Sequence, residues 1–448
     1  MDKAVVIGAG LAGCEAASRL AAHGIRVTLY EMKPVEYSPA HGYPGFAELV
    51  CSNSLKAMRH ESAAGLLKEE MRVFGSVCMK AADLCSVPAG GALAVDRKMF
   101  SDTVTEMITE DPLIDIVREK VRKIPDGTVI VAAGPLADGE LAEEIDGLCG
   151  GRLSFYDAAA PIITAESLDL SKTFTQSRYD RGGEADYINC PMNKEEYEAF
   201  YDALTHAQRA ETHAFDERKD VYEGCMPIEA MAARGADTMR YGPLKPVGLK
   251  DPSTGHRPWA VLQLRREDTD GKLLNLVGFQ TNLKFSEQKR VFSMIPALKN
   301  AEFVRYGVMH RNTFMNSPGI LDGAYAFKAR KGLYFAGQIT GVEGYMESAS
   351  SGILAGINAA RQLTGRPPLI LPETTMMGAL AAHVSRSVTP DFQPMGAAFG
   401  LLPPLNEKIR DKKERYRALA DRAQADLKAY LDKAGYFEKE GNIDETGA

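Results

Sequence analysis

The chain has 448 residues, of which 45% are apolar and 25% are charged. These values are ordinary for a globular protein, and they exclude a disordered, collagen-like or disulfide-scaffold chain. The length predicts two or three domains. The formal net charge of −7 argues against a uniformly basic protein, although a local basic patch is enough for contact with phosphates.

The cysteines and the N-terminus indicate the compartment. Seven cysteines are scattered along the chain, with no C-x-x-C pair and no Cys/His cluster, so we predict neither a metal site nor a disulfide framework. The N-terminus does not resemble a signal peptide. No stretch approaches the roughly 18 apolar residues of a membrane span. We therefore expect a soluble, cytoplasmic protein that does not associate with membranes.

The first predicted elements have the order strand, glycine turn, helix, strand. Residues 3–8 form an apolar run rich in β-branched residues, which is typical of a strand buried in a parallel sheet. A helix is predicted over residues 11–23, ending at Gly24. A second strand over residues 26–31 ends in an acid. This order predicts a dinucleotide-binding unit.

The glycines between the first strand and the helix have separate physical roles. Gly8 allows a tight turn, Gly10 lets the backbone approach a pyrophosphate, and Gly13 lets helix and strand pack closely. The helix N-terminus then offers N–H groups to phosphate, and Glu31 is placed to bind ribose hydroxyls. The predicted cofactor-binding residues of this unit are Gly8, Ala9, Gly10, Leu11, Ala12, Gly13 and Glu31.

Two later strands favour FAD over NAD. Residues 128–135 and 333–337 are apolar runs that each end in a glycine turn. The second run is followed by a turn over residues 338–344, with Gly337 and Gln338 as candidate cofactor contacts, and by a helix predicted over residues 350–363. We therefore predict an α/β fold with a Rossmann-like FAD-binding domain split in sequence and an inserted α+β domain. The predicted parts are residues 1–170, 171–304 and 305–448.

The inserted part and the C-terminus carry mixed signals. A charged helix is predicted over residues 194–206, and strands over residues 259–264 and 273–279, as expected for a domain on the substrate side. Residues 405–433 have heptad-like apolar spacing with dense mixed charge. Two interpretations stay open here. One is a solvated terminal helix, and the other is an RNA-backbone contact through Lys412, Lys413, Arg415 and Arg417.

Two cysteines lie in loops suited to reactive thiols. Cys51 lies where an apolar run breaks into a Ser/Asn/Ser turn, and Cys225 lies in a loop bounded by Gly and Pro. Thiols in such settings can act as nucleophiles, although many cysteines are simply small buried hydrophobes. We assign that structural role to the other five, which are Cys14, Cys78, Cys85, Cys149 and Cys190.

Several longer blocks carry a family resemblance. Together they are similar to the folate- and FAD-dependent tRNA (uracil-5-)-methyltransferases of the TrmFO type, over roughly residues 1–433. The matching blocks are residues 6–13, 46–56, 87–97, 185–192, 224–229, 278–281, 306–314 and 337–344.

The resemblance implies a reaction. Members of that family transfer a one-carbon unit from 5,10-methylenetetrahydrofolate to C5 of the T-loop uridine at position 54 of tRNA. Reduced FAD supplies the hydride, and NAD(P)H reduces the flavin again. The implied partners are therefore folate and the T-arm of tRNA. The target uridine must be flipped out or reached after the T-arm opens.

The resemblance also implies site residues. Cys225 would add to C6 of the uracil, and Cys51 would act as acid/base or shield the flavin-bound one-carbon unit, although these roles could be reversed. His310 would stack on the pterin ring, while Glu343 and Tyr345 would contact flavin or folate. Candidate phosphate contacts are Arg311, Lys284, Lys289 and Arg290.

Four alternatives stay open at this stage. The same chemistry could act on ribosomal RNA, or the chain could be a GidA-like flavoprotein that modifies wobble uridines. It could also be an RNA-binding or partner-binding flavoprotein without turnover, or a generic small-molecule FAD oxidoreductase. Oligomeric state and the choice between NADH and NADPH are not predicted.

Overall fold

The computed structural model describes residues 3–180, 186–210, 226–387 and 392–436. The strands are β1 (Lys3–Ile7), β2 (Arg26–Tyr30), β3 (Ser54–Ala57), β4 (Ser86–Val87), β5 (Ala92–Val95), β6 (Ile114–Val117), β7 (Thr128–Val131), β8 (Arg152–Ala158), β9 (Ile162–Thr164), β10 (Phe174–Thr175), β11 (Ile188–Met192), β12 (Ala260–Arg266), β13 (Leu273–Leu276), β14 (Phe303–Arg305), β15 (Met309–Met315) and β16 (Leu333–Phe335). The α-helices are α1 (Leu11–Ala22), α2 (Ala63–Val73), α3 (Val77–Leu84), α4 (Arg97–Thr109), α5 (Gly139–Cys149), α6 (Lys194–Thr205), α7 (Ile228–Ala232), α8 (Thr238–Tyr241), α9 (Phe285–Phe292), α10 (Tyr345–Leu363), α11 (Met376–Arg386) and α12 (Lys412–Ala434).

The first sheet is parallel and has five strands in the order β16-β7-β1-β2-β6. Strand β1 pairs in parallel with β2 and β7, and β16 pairs in parallel with β7. The continuous apolar runs seen in the sequence are explained because all four residues of β7 and all three of β16 are buried. Strand β16 completes a sheet begun more than 300 residues earlier. The predicted α/β fold with a split Rossmann-like domain is therefore confirmed.

Helices α1 and α10 pack against each other with very close backbones. A Cβ at Gly352 would overlap the carbonyl oxygen of Ala12, and one at Gly356 would lie 2.7 Å from the carbonyl oxygen of Ala16. Only glycine permits this separation. The contact brings the N-termini of two sequence-distant helices to the same edge of the sheet.

The inserted region forms a second sheet with its own core. Its six strands have the order β10-β11-β12-β13-β9-β14, and the pairs are antiparallel. The apolar side chains of α6, α9 and this sheet form a separate cluster. The sheet includes β9, which precedes the predicted start of the inserted part at residue 171; the division of the chain into three parts stays a prediction. The β8–β15 ribbon is antiparallel.

Two helices differ from their predicted bounds. Helix α10 begins at Tyr345 rather than near residue 350, because Gly344 has φ +122° and provides the sharp entry. Its Ser-rich first turns are weak helix formers, but they are buried, and packing overrides propensity. Helix α12 begins at Lys412, after the N-cap Asp411, rather than at residue 405.

Helix α12 is docked on the FAD-domain core by one apolar face. Leu419, Leu427 and Leu431 are buried there. His60 adds a polar connection, since its Nδ1 lies 2.7 Å from Glu69 and its Nε2 lies 2.8 Å from Asp421 of α12. Partial burial lowers the pKa of His60, but the hydrogen bonds to the two carboxylates outweigh it, and the pKa is raised overall.

Lys412, Lys413 and Arg417 are exposed, and RNA contact through this helix stays a prediction. In the described part of the chain, every helix is too short or too polar to cross a membrane.

Candidate active site

A cleft of about 480 Å³ lies at the carboxyl edge of the parallel sheet. Its walls include residues just after the ends of β1, β2, β7 and β16, the position where open α/β sheets bind ligands. Further walls come from segments 50–56 and 343–348, and from Gln280 and Asn312. The fold therefore brings three segments to one cavity: the glycine fingerprint at residues 8–13, the loop that carries Cys51 and the turn between β16 and α10.

The three fingerprint glycines have different surroundings. Gly8 has φ +97°, and a Cβ there would lie 2.6 Å from the carbonyl oxygen of Ala132. A Cβ at Gly13 would overlap the carbonyl oxygen of Gly8 and lie 2.9 Å from its carbon. Gly10 has φ −72°, lines the cleft, and a Cβ there would meet nothing within 4 Å. Gly8 and Gly13 thus serve packing, whereas Gly10 leaves room for a ligand.

The carboxylate of Glu31 holds the fingerprint loop. It accepts hydrogen bonds from the backbone N–H groups of Ala9 (2.8 Å) and Lys33 (2.9 Å). A carboxylate has about four acceptor positions, so Glu31 retains capacity for ribose hydroxyls at the cleft wall. Leu11 and Ala12 also line the cleft, whereas Ala9 and Gly13 are not among its lining residues.

The turn after β16 pairs two of the candidate residues with each other. The side-chain amide of Gln338 donates to the carboxylate of Glu343, and both line the cleft. The N–H of Gly337 donates to Ser351 Oγ at 2.7 Å, inside α10. An amide can donate to Glu343, whereas an aspartate at position 338 would repel it. This pairing gives a physical reason for glutamine at that position.

The Cys51 thiol contacts a tyrosine that is 294 residues away in the chain. Its Sγ lies 2.9 Å from the hydroxyl of Tyr345, which also accepts hydrogen bonds from the N–H groups of Cys51 (2.8 Å) and Ser52 (3.3 Å). Burial, and then the nearby Cys51 sulfur, raise the pKa of Tyr345 well above its ordinary value. The phenol therefore stays protonated. Because the Tyr345 oxygen already accepts two N–H hydrogen bonds, the O–H group donates its proton to Cys51 Sγ.

Three arginines hold the loop that carries Cys51. Arg97 donates to the carbonyl of residue 49 (2.8 Å) and pairs with the buried Glu267. Arg305 donates to the carbonyl of residue 50, and Arg265 donates to the Asn53 side chain at 2.9 Å. Arg97 comes from α4, whereas Arg305 and Arg265 come from β14 and β12 of the second sheet. The loop is therefore held both by a helix of the first part of the chain and by strands of the second sheet.

A second group of charges was not predicted from the sequence. Lys56 Nζ lies 2.7 Å from Glu347 Oε1, and Lys68 donates to the carbonyls of Ala57 (2.9 Å) and Ala64 (3.0 Å). Burial lowers the pKa of Lys68 to about 8. Both lysines line the cleft and can offset negative charge on a ligand. No local sequence pattern distinguishes them from surface lysines.

Two predicted residues lie wholly or partly outside what the structure describes. His310 lies on β15 opposite Asp157, but its side chain and that of Arg311 are outside what the structure describes; Asn312, two residues on, is buried in the cleft wall. Cys225 lies outside the described residues. Close after it, the N–H of Ile228 donates to the carbonyl of Gln280 at 2.7 Å, and Gln280 lines the cleft.

The remaining candidates are the other five cysteines and the predicted phosphate contacts near α9. Cys14, Cys78 and Cys190 are buried, and burial raises the pKa of each thiol. Cys85 is buried, and Cys149 packs with Met315. Lys284, Lys289 and Arg290 are exposed at or before α9.

The comparisons with known proteins agree with this geometry. Residues 3–367 match the family model described as "Glucose inhibited division protein A". The chain is 57% identical over 435 residues to the Acetivibrio thermocellus protein named "Methylenetetrahydrofolate--tRNA-(uracil-5-)-methyltransferase TrmFO", covering 97% of this chain and 99% of that one. A protein of the same name from Lactiplantibacillus plantarum is 56% identical over 428 residues, with 95% and 97% coverage.

Among solved structures, Aquifex aeolicus GidA matches with a TM-score of 0.68 over 98% of this chain and 76% of that one. At 17% identity this likeness shows the fold alone, and it does not favour the wobble-uridine alternative. The near full-length relatives at 56–57% identity decide the closer relationship. This chain belongs to the TrmFO family of methylenetetrahydrofolate–tRNA (uracil-5-)-methyltransferases.

Proposed function

We propose that this chain transfers a one-carbon unit from 5,10-methylenetetrahydrofolate to C5 of a tRNA uracil and reduces it to a methyl group. We further propose that the target is the T-loop uridine at position 54. The observation that carries the proposal is the position of Cys51, whose thiol lines the same cleft as the dinucleotide fingerprint. The relatives named for this reaction, which cover 97% and 95% of this chain, support it.

The residues of the cleft suit FAD. The open space at Gly10 accommodates a pyrophosphate at the N-terminus of α1, and Glu31 can accept ribose hydroxyls. The volume of about 480 Å³ lies within the usual range for ligand sites. Bound FAD supplies the hydride that converts the transferred carbon into a methyl group, after reduction by NAD(P)H.

The cysteines account for the uracil chemistry. Uracil C5 is a poor nucleophile until a group adds at C6, and a thiolate is suited to that because it adds near neutral pH and can be eliminated again. We assign this addition to Cys225 and removal of the C5 proton to Cys51. The Tyr345 hydroxyl 2.9 Å from Cys51 Sγ orients the sulfur and stabilises its negative charge by hydrogen bonding.

The test is nucleoside analysis of a tRNA T-arm transcript incubated with protein, NADPH and methylenetetrahydrofolate. We expect 5-methyluridine only when the folate is present, and none in a transcript with cytidine at position 54. Methylation of a ribosomal RNA fragment in place of the transcript would contradict the assignment of the RNA.

Three cysteine variants separate the roles. Cys225→Ala should retain FAD and lose methyl transfer, and Cys51→Ala should lose it as well. Cys190→Ala is the matched control, since this thiol is buried in the second core, and it should methylate normally. Normal methyl transfer by Cys225→Ala would refute the nucleophile assignment.

A further inference from the structure

Three aromatic rings form a stack on the surface of the second domain. The ring of Tyr306 stacks with that of Phe285, with ring centroids 4.8 Å apart and planes 15° apart, and with that of Phe303, with centroids 5.4 Å apart and planes 9° apart. Phe285 nevertheless remains 53% exposed. Because Tyr306 covers one face of the Phe285 ring, the exposed half includes the opposite face. A ring face open to solvent can stack on another planar aromatic group.

The stack is joined rigidly to the wall of the cleft. Gln288 is fully buried, donates to the carbonyl of Gly307 at 2.7 Å and accepts from the N–H of Gly307 at 2.8 Å. A Cβ at Gly307 would lie 2.7 Å from the carbonyl oxygen of Ala159, and Ala159 lines the cleft. Tyr306 directly precedes Gly307, so the stacked rings are one residue away from backbone that packs against the cleft-lining residue Ala159.

Basic side chains flank Phe285 along the chain, while the exposed Glu302 directly precedes Phe303. Lys284 directly precedes Phe285, and Lys289 lies one turn further along α9; both are exposed. Arg209 is also exposed and forms a β-bridge beside Lys284, to Leu283. The acidic residue of this helix, Glu287, is paired with Arg290 at 2.7 Å. This local charge is opposite to that of a phosphate backbone, in a chain whose net charge is −7.

We propose that the outer face of Phe285 stacks an unpaired base of the RNA substrate, next to the nucleotide that enters the cleft. This inference rests on the proposed function for its occupant. Removing a uridine from a folded loop leaves its neighbours without a stacking partner. An aromatic face supplies one irrespective of base identity, and Lys284 and Lys289 contact the flanking phosphates.

The experiment measures the affinity of the full-length FAD-bound protein for a T-arm RNA at several salt concentrations. Phe285→Leu, which keeps an apolar side chain but removes the ring, should weaken binding about 5- to 150-fold. The slope of log affinity against log salt should not change, because no phosphate contact is lost. Phe285→Trp should bind at least as tightly as the wild type. The double variant Lys284→Gln/Lys289→Gln should instead lower the salt slope by about 1.4 to 1.8.

Val304→Ala is the matched control, because Val304 is a 54% exposed apolar residue of the adjacent strand and has no ring. It should bind RNA and methylate like the wild type. Flavin absorbance and Tm of each variant check that the fold is retained.

Each outcome decides a separate point. Affinity within twofold of the wild type for Phe285→Leu overturns the stacking proposal, and methylation by the wild type then leaves the proposed function intact. Loss of self-association in sedimentation, with RNA affinity unchanged, assigns the stack to contacts between copies of the chain and also overturns it. If the wild type binds the T-arm but forms no 5-methyluridine, the proposed function fails, whereas the RNA affinity of Phe285→Leu still decides the stacking.

Discussion

Substituting the fingerprint glycines separately tests whether one serves packing and another serves the cofactor. In Gly13→Ala, the new methyl group would overlap the carbonyl oxygen of Gly8 and lie 2.9 Å from its carbon. That is about 0.6 Å inside the usual carbon–carbon separation of about 3.5 Å. The obstacle is the backbone of a tight turn rather than a flexible side chain. We therefore expect a cost of about 3 kcal/mol, the upper end for overpacking.

Gly10→Ala is the matched variant. Gly10 has φ −72°, which any residue adopts, and a Cβ there would meet nothing in the protein within 4 Å. The weaker N-cap and the reduced entropy of the unfolded chain roughly offset each other. The fold should therefore be unaffected, but the methyl group would occupy space where the backbone approaches the pyrophosphate, so FAD affinity should fall at least about tenfold.

The assay compares Tm of the flavin-free protein with the flavin-to-protein absorbance ratio of the holoprotein. Gly13→Ala should lower Tm of the apoprotein by about 3 to 5 °C, whereas Gly10→Ala should change it by less than about 1 °C and yet lose flavin. The division of roles would be refuted if Gly10→Ala destabilised the apoprotein as much as Gly13→Ala. Full retention of flavin by Gly10→Ala would show that this position does not face the cofactor.

Three further predictions follow from the site and the helix that supports it. Tyr345→Phe should retain FAD but slow methylation about 10- to 100-fold and move the acid limb of the pH–rate profile to higher pH, because Cys51 Sγ loses its hydrogen-bond donor; an unchanged profile would contradict this. Arg97→Met should lower the free energy of unfolding by about 3 kcal/mol because the buried Glu267 loses its ion-pair partner. The double variant with Glu267→Met should recover most of the loss in urea unfolding. His60 has a raised pKa, so its stabilising contribution is complete below about pH 6.5 and is lost as the pH rises through the folded-state pKa. The Tm difference between wild type and His60→Gln should therefore be larger at about pH 5.5 than at about pH 8.5. An equal difference at the two pH values would refute this prediction.

The elements of the FAD-binding domain were predictable because their signals are local. The fingerprint turn needs glycines at fixed spacing within a few residues, and fully buried parallel strands need continuous apolar runs, so both are legible in one sequence window. The start of α10 was not predictable in this way. Its Ser-rich first turns have weak helix propensity, and they are helical because α1 packs against them.

The sequence by itself determined the class of fold, the fingerprint with Glu31 and the loop position of Cys51. Only the tertiary structure decided that Tyr345 contacts the Cys51 thiol, that three arginines hold its loop, and that Lys56 and Lys68 line the cleft. The physical reason is separation along the chain. Local backbone preferences repeat within a few residues, whereas a contact across 294 residues depends on how sheets and helices pack and leaves no pattern near either residue.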